Sequence, residues 1–460
     1  MRSIRITALV LISLSCLACN NLSKQELALE AIGEGVATPR SWQEPEPDDT
    51  TTLNNWLESF NDPVLLELIA EGKANNIDLQ VSAKAIEKAW LLAARAGSDL
   101  KPKLGVAAGR TQYGFNFDSY NKSFSYMDTG LAGQLELDVW GRVREGAHAA
   151  KMDVQAAQAD YAFAQQSLSA SIAKTYLKII EAKQQAEITK KNQAILQETL
   201  RITRARYDNG LATGQDVALN SANLAAIEEH LLNVESAERD AGRALELLLG
   251  RYPGAAIDVA EALPTLPLPP AAGLPAELLE RRPDIIAAER SVAAAFNRSA
   301  QAKAAFLPRV ILSNQMRGAA RHLSDLFDPV LFAWKLAGTL TTPILDGGIR
   351  KIDSQIASVE QEQAVLNYAQ LALQAFFEVE NNLYLGGVLS ERKATLSEVS
   401  RQSAMAYEIS QIRYVEGEID LLDTLTIQRE AITAESSLVS IKRAQLDQQI
   451  DLYLSLGGNW

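Results

Sequence analysis

Residues 126–139 read Tyr126-Met127-Asp128-Thr129-Gly130-Leu131-Ala132-Gly133-Gln134-Leu135-Glu136-Leu137-Asp138-Val139. One parity carries Met127, Thr129, Leu131, Gly133, Leu135, Leu137 and Val139; the other carries Tyr126, Asp128, Gly130, Ala132, Gln134, Glu136 and Asp138. Successive side chains of a strand point to opposite faces, so this is a strand with one apolar and one polar face, long enough to span an outer membrane when tilted. Residues 332–343 repeat the pattern, with Phe332, Trp334, Leu336, Gly338 and Leu340 set against Lys335, Thr339 and Thr341. The partner strands, about 104–115 and 309–319, alternate less cleanly. Tyr113, Phe115, Phe117, Tyr120, Phe124 and Tyr126 are expected to supply aromatics near the outer interface. Two hairpins, about 104–139 and 309–343, give four strands per chain. A barrel in lipid must be closed, because an open edge leaves backbone groups unpaired, and the smallest barrels use eight strands. The chain must therefore oligomerise; two, three or four copies all satisfy this.

Outward from the hairpins, the chain repeats itself. Arg206-Tyr207-Asp208-Asn209-Gly210 returns 207 positions later as Arg413-Tyr414-Val415-Glu416-Gly417, and Leu249-Gly250 returns as Leu456-Gly457 at the same offset. Gly141-Arg142 is matched by Gly348 and Arg350, and Leu100-Lys101-Pro102 by Phe306-Leu307-Pro308. A period this long is a duplicated structural unit and not a solenoid repeat. The first repeat spans 63–262, a Pro-rich linker 263–275, and the second repeat 276–460. Each holds a helix, a β-hairpin and a long helical hairpin. Ala150, Val154, Ala157, Tyr161, Ala164 and Leu168 are spaced as a coiled-coil seam. Ile352, Ile356, Val359, Leu366, Leu373 and Phe377 follow the same rule in the second half, with Gln363 and Gln370 interrupting. A continuous helix from about Glu145 to Tyr207 would be on the order of 90 Å long and needs neighbours of equal length. Gly210 and Gly417 supply the left-handed residue that ends each long helix tightly.

At the N-terminus, Arg2 and Arg5 precede an apolar run at 6–18 that is too short for a stable span and fits a signal peptide, residues 1–18. Leu17-Ala18-Cys19 resembles a lipoprotein cleavage site, although Cys16 stands where leucine is usual, so Cys19 is the expected acylated residue, carrying palmitate among its chains. Asn20 does not resemble the aspartate that retains such proteins at the inner membrane. Residues 19–62 form the lipidated N-terminal segment. With Cys16 removed, no intrachain disulfide can support the fold. The full chain has a net charge of −13; loss of Arg2 and Arg5 makes the mature chain −15, which speaks against nucleic acid as a partner. His148, His230 and His322 are scattered without ligand-spaced neighbours, and no nucleophile constellation or phosphate loop is present, so neither a metal nor an enzyme is expected.

These residues resemble the TolC family of outer-membrane factors, in its lipoprotein branch that serves efflux pumps. The resemblance runs from about Trp56 to Trp460. It is carried by residues 56–63 with Asn75-Asn76-Ile77-Asp78-Leu79, by Leu137-Asp138-Val139-Trp140-Gly141-Arg142, and by Leu278-Leu279-Glu280-Arg281-Arg282-Pro283-Asp284-Ile285 with Ala288-Glu289-Arg290. Pro343-Ile344-Leu345-Asp346-Gly347-Gly348, Phe376-Phe377-Glu378-Val379-Glu380 and the terminal Leu456-Gly457-Gly458-Asn459-Trp460 complete it. It implies an α+β membrane protein that trimerises into a twelve-stranded β-barrel on a periplasmic α-barrel. The implied function is an outer-membrane export channel of a tripartite efflux system, with a periplasmic adaptor and an inner-membrane transporter of RND type as partners. No cofactor beyond the lipid on Cys19 is implied. Residues 19 to about 60 and 263–275 would wrap the middle of the barrel, and Arg282-Pro283-Asp284 reads as a structural helix start.

In a threefold assembly each inward acid becomes a ring. Glu416, Glu418, Asp420 and Asp423 lie within eight positions, and Asp216 is the repeat counterpart of Asp423. Asp423 matches one gate aspartate of the family; the second is Thr426 here. Asp423, Asp420, Glu418 and Asp216 are the expected periplasmic gate, with Arg206, Tyr207, Arg413 and Tyr414 tying neighbouring hairpins. Gly210, Gly417, Asn209 and Glu416 are the expected adaptor-facing tips. Two other readings remain: a pore-less periplasmic coiled-coil lipoprotein, which leaves the alternating hairpins unexplained, and a duct for type I protein secretion.

Overall fold

The computed structural model describes residues 39–45, 50, 56–117, 120–325 and 328–458. Cys19, the signal segment 1–18 and most of the expected lipidated segment lie outside the described residues, as do Asn459 and Trp460. After a 3-10 turn at Trp56–Phe60, the first half runs α1 (Pro63–Asn75), α2 (Ile77–Ser98), β1 (Lys103–Phe117), β2 (Tyr120–Leu137), α3 (Arg142–Asp208) and α4 (Gly214–Leu248). The second runs α5 (Pro275–Arg281), α6 (Pro283–Ala304), β3 (Arg309–Ala320), β4 (Phe332–Thr341), α7 (Ile349–Glu416) and α8 (Leu421–Ser455). The duplication is thus realised element by element. Its left-handed glycines match in pairs: Gly141 with Gly348, Gly210 with Gly417, Gly250 with Gly457, all at positive φ.

Two compact units alternate along the chain. The first comprises the described parts of Lys84–Ala159 and Ile286–Leu371. It holds one antiparallel sheet in the order β1-β2-β3-β4, so β1 and β4 are open edges. Aspartates turn the chain from sheet to helix. Asp138 accepts from the backbone N–H of Val143 (3.0 Å) and Arg144 (2.8 Å), with Gly141 at φ +82° making the turn. Asp346 does the same for Gly348 (3.1 Å) and Arg350 (3.4 Å). A carboxylate at the positive end of a helix satisfies its first orphan donors. This is why β2 stops at Leu137 and not at Val139: Asp138 leaves the strand to cap α3.

The second unit comprises the described parts of Thr38–Ala83, Asp160–Ile285 and Ala372–Trp460. Its core gathers Trp56, Phe60, Leu65, Ile172, Tyr176, Ile180, Leu245, Ile450 and Tyr453. Trp56 stacks on Tyr453 at 4.9 Å between centroids. Asp62 caps α1 and also accepts a 2.6 Å hydrogen bond from the Tyr176 hydroxyl. Burial first, and that carboxylate second, push the Tyr176 phenol well above its ordinary range.

The two repeats close on each other's logic here. Asn76 donates to the carbonyl of Leu248 (2.9 Å), and its counterpart Arg282 donates to the carbonyl of Ser455 (3.3 Å). A Cβ on Gly250 would stand 2.6 Å from the carbonyl oxygen of Asn75, and one on Gly457 would stand 3.0 Å from that of Arg281, so both positions exclude a side chain. Arg282 is only 3% exposed. It grips Asp284 with two hydrogen bonds (3.1 and 2.7 Å) and Glu378 with a third (2.6 Å). The Arg-Pro-Asp motif is a buried structural knot. The 263–275 stretch forms no helix before Pro275, and its Leu268 carbonyl accepts from Gln449 of α8 (2.9 Å) while Gly273 accepts from Trp42 (2.8 Å).

Candidate channel surfaces: the sheet face and the helical tips

The register across all four strands sorts the side chains. Val106, Leu131, Met316 and Trp334 form one transverse row, with Leu104, Gly133, Asn314 and Leu336 in the next. These rows continue to Leu137, Val310 and Leu340 at one end and to Arg110, Met127 and Ala320 at the other. Val106 is 76% exposed and Trp334 81% exposed in the single chain, which is the signature of a face that meets something apolar. From residue 127 to 137 the band follows about 33 Å of strand, or about 25 Å of membrane at the tilt of outer-membrane barrels.

The opposite face is polar and fine-grained. Gly105, Ala107, Gly109, Gly130, Ala132, Ala319, Ala333 and Ala337 alternate there with Gln134, Glu136, Gln315, Arg317 and Lys335. Glu136 is held bidentately by Arg142 (2.9 and 2.8 Å), and Arg317 pairs with Asp128 (2.8 Å). Lys335 shares the row of Gly105, Ala132 and Gln315, well inside the apolar band. An ionisable side chain at that depth requires water beside it.

Register also assigns the aromatics to a face. Tyr113 stacks on Phe124 (5.1 Å) and on Tyr126 (6.1 Å), but register places all three on the polar face with Asp128, beyond the Arg110–Met127 row. They stand at the end expected to lie near the outer interface, on the polar face; among the described residues the aromatics of the apolar face are Phe332 and Trp334.

At the far ends of the long helices, both tips are built alike. Gly210 donates to the carbonyl of Tyr207 (3.0 Å) and Leu211 to that of Arg206 (2.8 Å); Gly417 and Glu418 repeat this on Tyr414 (3.1 Å) and Arg413 (2.8 Å). With both glycines left-handed, these are Schellman closures. Asn209, Gly210, Glu416 and Gly417 are all exposed.

The four expected gate acids differ in what they do. Asp216 closes a capping box, accepting from the N–H and hydroxyl of Thr213 (both 2.8 Å), and those bonds hold its carboxyl below the usual range. Asp420 caps α8 by accepting from the N–H of Asp423 (2.8 Å). Glu418 pairs with Arg413 (3.0 Å) inside its own tip, where both are more than half exposed. Asp423 is exposed, and among the described residues its carboxylate has no hydrogen-bond or ion-pair partner.

The basic and aromatic tip residues also separate. Arg206 sits over the ring of Tyr414 at 5.0 Å and reaches its carbonyl at 3.5 Å, so it joins the α3–α4 tip to the α7–α8 tip. Tyr207 is half-exposed and lies beside Gly214 of its own hairpin. Beneath the tips, Leu196 packs on Leu421 and Leu425, and Asn192 accepts a buried hydrogen bond from Gln428 (2.8 Å). Sequence reading did not single out the charge cluster further along α3 and α8. Arg443 lies between Glu181 and Asp447, with Lys174 paired to Asp451 (2.7 Å). Burial, against the pull of Arg443 and Lys174, pushes the Asp447 carboxyl up to about 6.

A sheet with a lipid-like face and a wet face, carried by a chain of long tip-ended helical hairpins, defines an outer-membrane channel protein. The comparisons agree. The family model described as "Outer membrane efflux protein" matches residues 68–251 and 274–458, and the chain belongs to that family. The pyoverdine export outer membrane protein OpmQ of Pseudomonas putida KT2440 is 29% identical, over 98% of this chain and 96% of its own. The cation efflux system protein CusC of Escherichia coli O6:H1 is 28% identical, over 88% of both chains. The solved outer-membrane channel OprN superposes with a TM-score of 0.83 at 27% identity, covering 92% of this chain and 98% of the other. The protein is an outer-membrane efflux component with a large periplasmic portion.

Proposed function

We propose that three copies of this chain close their sheets into a twelve-stranded barrel whose polar faces line a water-filled passage, and that their long helices continue it as a periplasmic tunnel. The duct conducts efflux cargo passively, without bond-making, from a periplasmic adaptor and an inner-membrane transporter of the RND type that engage the tips at Gly210 and Gly417. Lys335 carries this reading, because a lysine at mid-depth of the apolar band is tolerable only on a wetted lumen. The open edges β1 and β4 support closure by further copies. So does the seam of α7, which was expected to be covered: Ile352, Leu366 and Phe377 are 53%, 68% and 62% exposed in the single chain. Burying such half-exposed side chains against a neighbouring copy contributes about 1 kcal/mol apiece, half the value of full burial. Cys19 supplies a covalent lipid anchor, and Asp423 a ring of carboxylates at the entrance.

The test is the full chain purified from outer membranes in detergent. The expected result is a particle of three chains that forms discrete conducting channels in planar bilayers. Cysteines at Asn209 or Glu416 should crosslink to an adaptor, while one at Tyr120 should be labelled from outside intact cells. A non-conducting monomer, or the reverse labelling pattern, would refute the proposal.

A further inference from the structure

The polar face of the sheet carries a charge pattern that the efflux reading does not require. In a chain with a net charge of −13, the cations of that face outnumber its anions. Asp128 is neutralised by Arg317 and Glu136 by Arg142, while Lys103 is paired with Asp99 outside the sheet (2.7 Å). Among the described residues, Lys335 has no carboxylate within ion-pair distance. It lines a concave site of about 450 Å³ together with Lys103, Gln134, Ser313, Asn314 and Gln315. Gly105 and Ala132 in the same lining leave the space open. The lining therefore offers the Lys335 ammonium without a carboxylate partner, a second ammonium at Lys103 that Asp99 pairs from outside the sheet, three carboxamides and a hydroxyl.

We propose that this site binds oxyanions, and that the barrel section thereby favours cargo bearing carboxylate, sulfonate or phosphate groups over cationic or neutral cargo. The unpaired Lys335 ammonium and the carboxamide N–H groups beside it are satisfied by an anionic oxygen, and hydrogen bonds to a charged acceptor are about twice as strong as neutral ones. A cleft of one sign between low-dielectric walls also raises the local concentration of counter-ions. The inference rests on the polar face being the lumen, where threefold symmetry would set three such sites around one passage.

Gln315→Cys places a thiol opposite Lys335, and the chain without that change sets the labelling background. In vesicles of phosphatidylcholine, the reaction rates of an anionic (sulfonatoethyl) and a cationic (trimethylammonioethyl) methanethiosulfonate are compared. The anionic-to-cationic ratio should fall at least threefold on adding Lys335→Gln and return with Lys335→Arg. Benzene-1,3,5-tricarboxylate should slow labelling in the Lys335 chain and not in Lys335→Gln. A ratio indifferent to Lys335→Gln would overturn the anion site. Protection that tracks added lipopolysaccharide and not the tricarboxylate would assign the donors to a lipid headgroup, and would equally overturn it. If position 315 resists both aqueous reagents while Leu336→Cys accepts them, the lumen assignment itself fails, a result distinct from the other two.

Discussion

Replacing Arg206 by alanine removes a contact at the tips that ties the two helical hairpins of a chain by a charged group. Its guanidinium lies 5.0 Å from the Tyr414 ring centroid, and its 3.5 Å approach to the Tyr414 carbonyl is at the limit of a hydrogen bond. A cation–π contact with this partial exposure contributes roughly 0.5–1 kcal/mol. In a trimer whose tips open together, three such losses total about 1.5–3 kcal/mol, which shifts the open-to-closed ratio roughly ten- to hundredfold at 1.4 kcal/mol per decade. Single-channel recording of the full-length Arg206→Ala protein should therefore show a large rise in open probability, with Arg206→Lys in between. The Arg413–Glu418 pair stays within one tip, and an exposed pair of that kind contributes little, so Glu418→Gln should leave open probability near the parent value. Equal opening by Glu418→Gln and Arg206→Ala, or no opening by the latter, would refute this account of what holds the entrance shut.

Three further outcomes are expected. Cys19→Ala should abolish incorporation of labelled fatty acid while the chain still reaches the outer membrane in part, since the barrel attaches itself. Arg282→Ala should cost about 3–5 kcal/mol in denaturant unfolding, because Asp284 and the Ser455 carbonyl lose a buried donor, and Arg282→Lys should recover less than half, an ammonium being unable to grip Asp284 bidentately and reach Glu378 as well; a loss below 1 kcal/mol for Arg282→Ala would contradict the knot. Asp447, with a native pKa raised to about 6, binds its proton more tightly folded than unfolded, so stability should fall by up to about 3 kcal/mol as pH rises from about 4 to about 6 and flatten above; Asp447→Asn should lose that slope when melting is followed across the window.

What sequence reading could reach was what local chemistry dictates. The left-handed glycines, the strand parities of β2 and β4, and the 207-residue offset all follow from rules that act within a few residues, and the elements fall where those rules place them. The polar-face placement of Tyr126 is legible in the same parity, whereas its stacking with Tyr113 and Phe124 depends on the β1–β2 register. Other features depend on partners remote in the chain. Arg282 is fixed by Glu378 and Ser455, and Arg206 by Tyr414. The exposure of the α7 seam is invisible in a heptad pattern, which says that a stripe is apolar without saying which chain covers it.

The unequal tip acids have a cause in the duplication itself, and it leads to a test that leaves the Asp423 carboxylate in place. In the first repeat Thr213 caps α4, and Asp216, three residues on, folds back onto the Thr213 N–H and hydroxyl. In the second repeat the cap is Asp420, and a second carboxylate at Asp423 cannot fold back onto it without setting two negative charges together. The substitution at the cap therefore accounts for Asp423 having no intrachain partner among the described residues, which suits it to the proposed entrance ring. Asp420→Thr should restore the box: threonine caps nearly as well as aspartate, so α8 should lose no more than a few tenths of a kcal/mol, while Asp423 turns back onto its own backbone. In planar bilayers both Asp423→Asn and Asp420→Thr should weaken cation selectivity and relieve block by trivalent cations, the second with the Asp423 carboxylate still present. If Asp423→Asn weakens selectivity and Asp420→Thr changes nothing, the difference between the two caps does not control where the entrance carboxylate points.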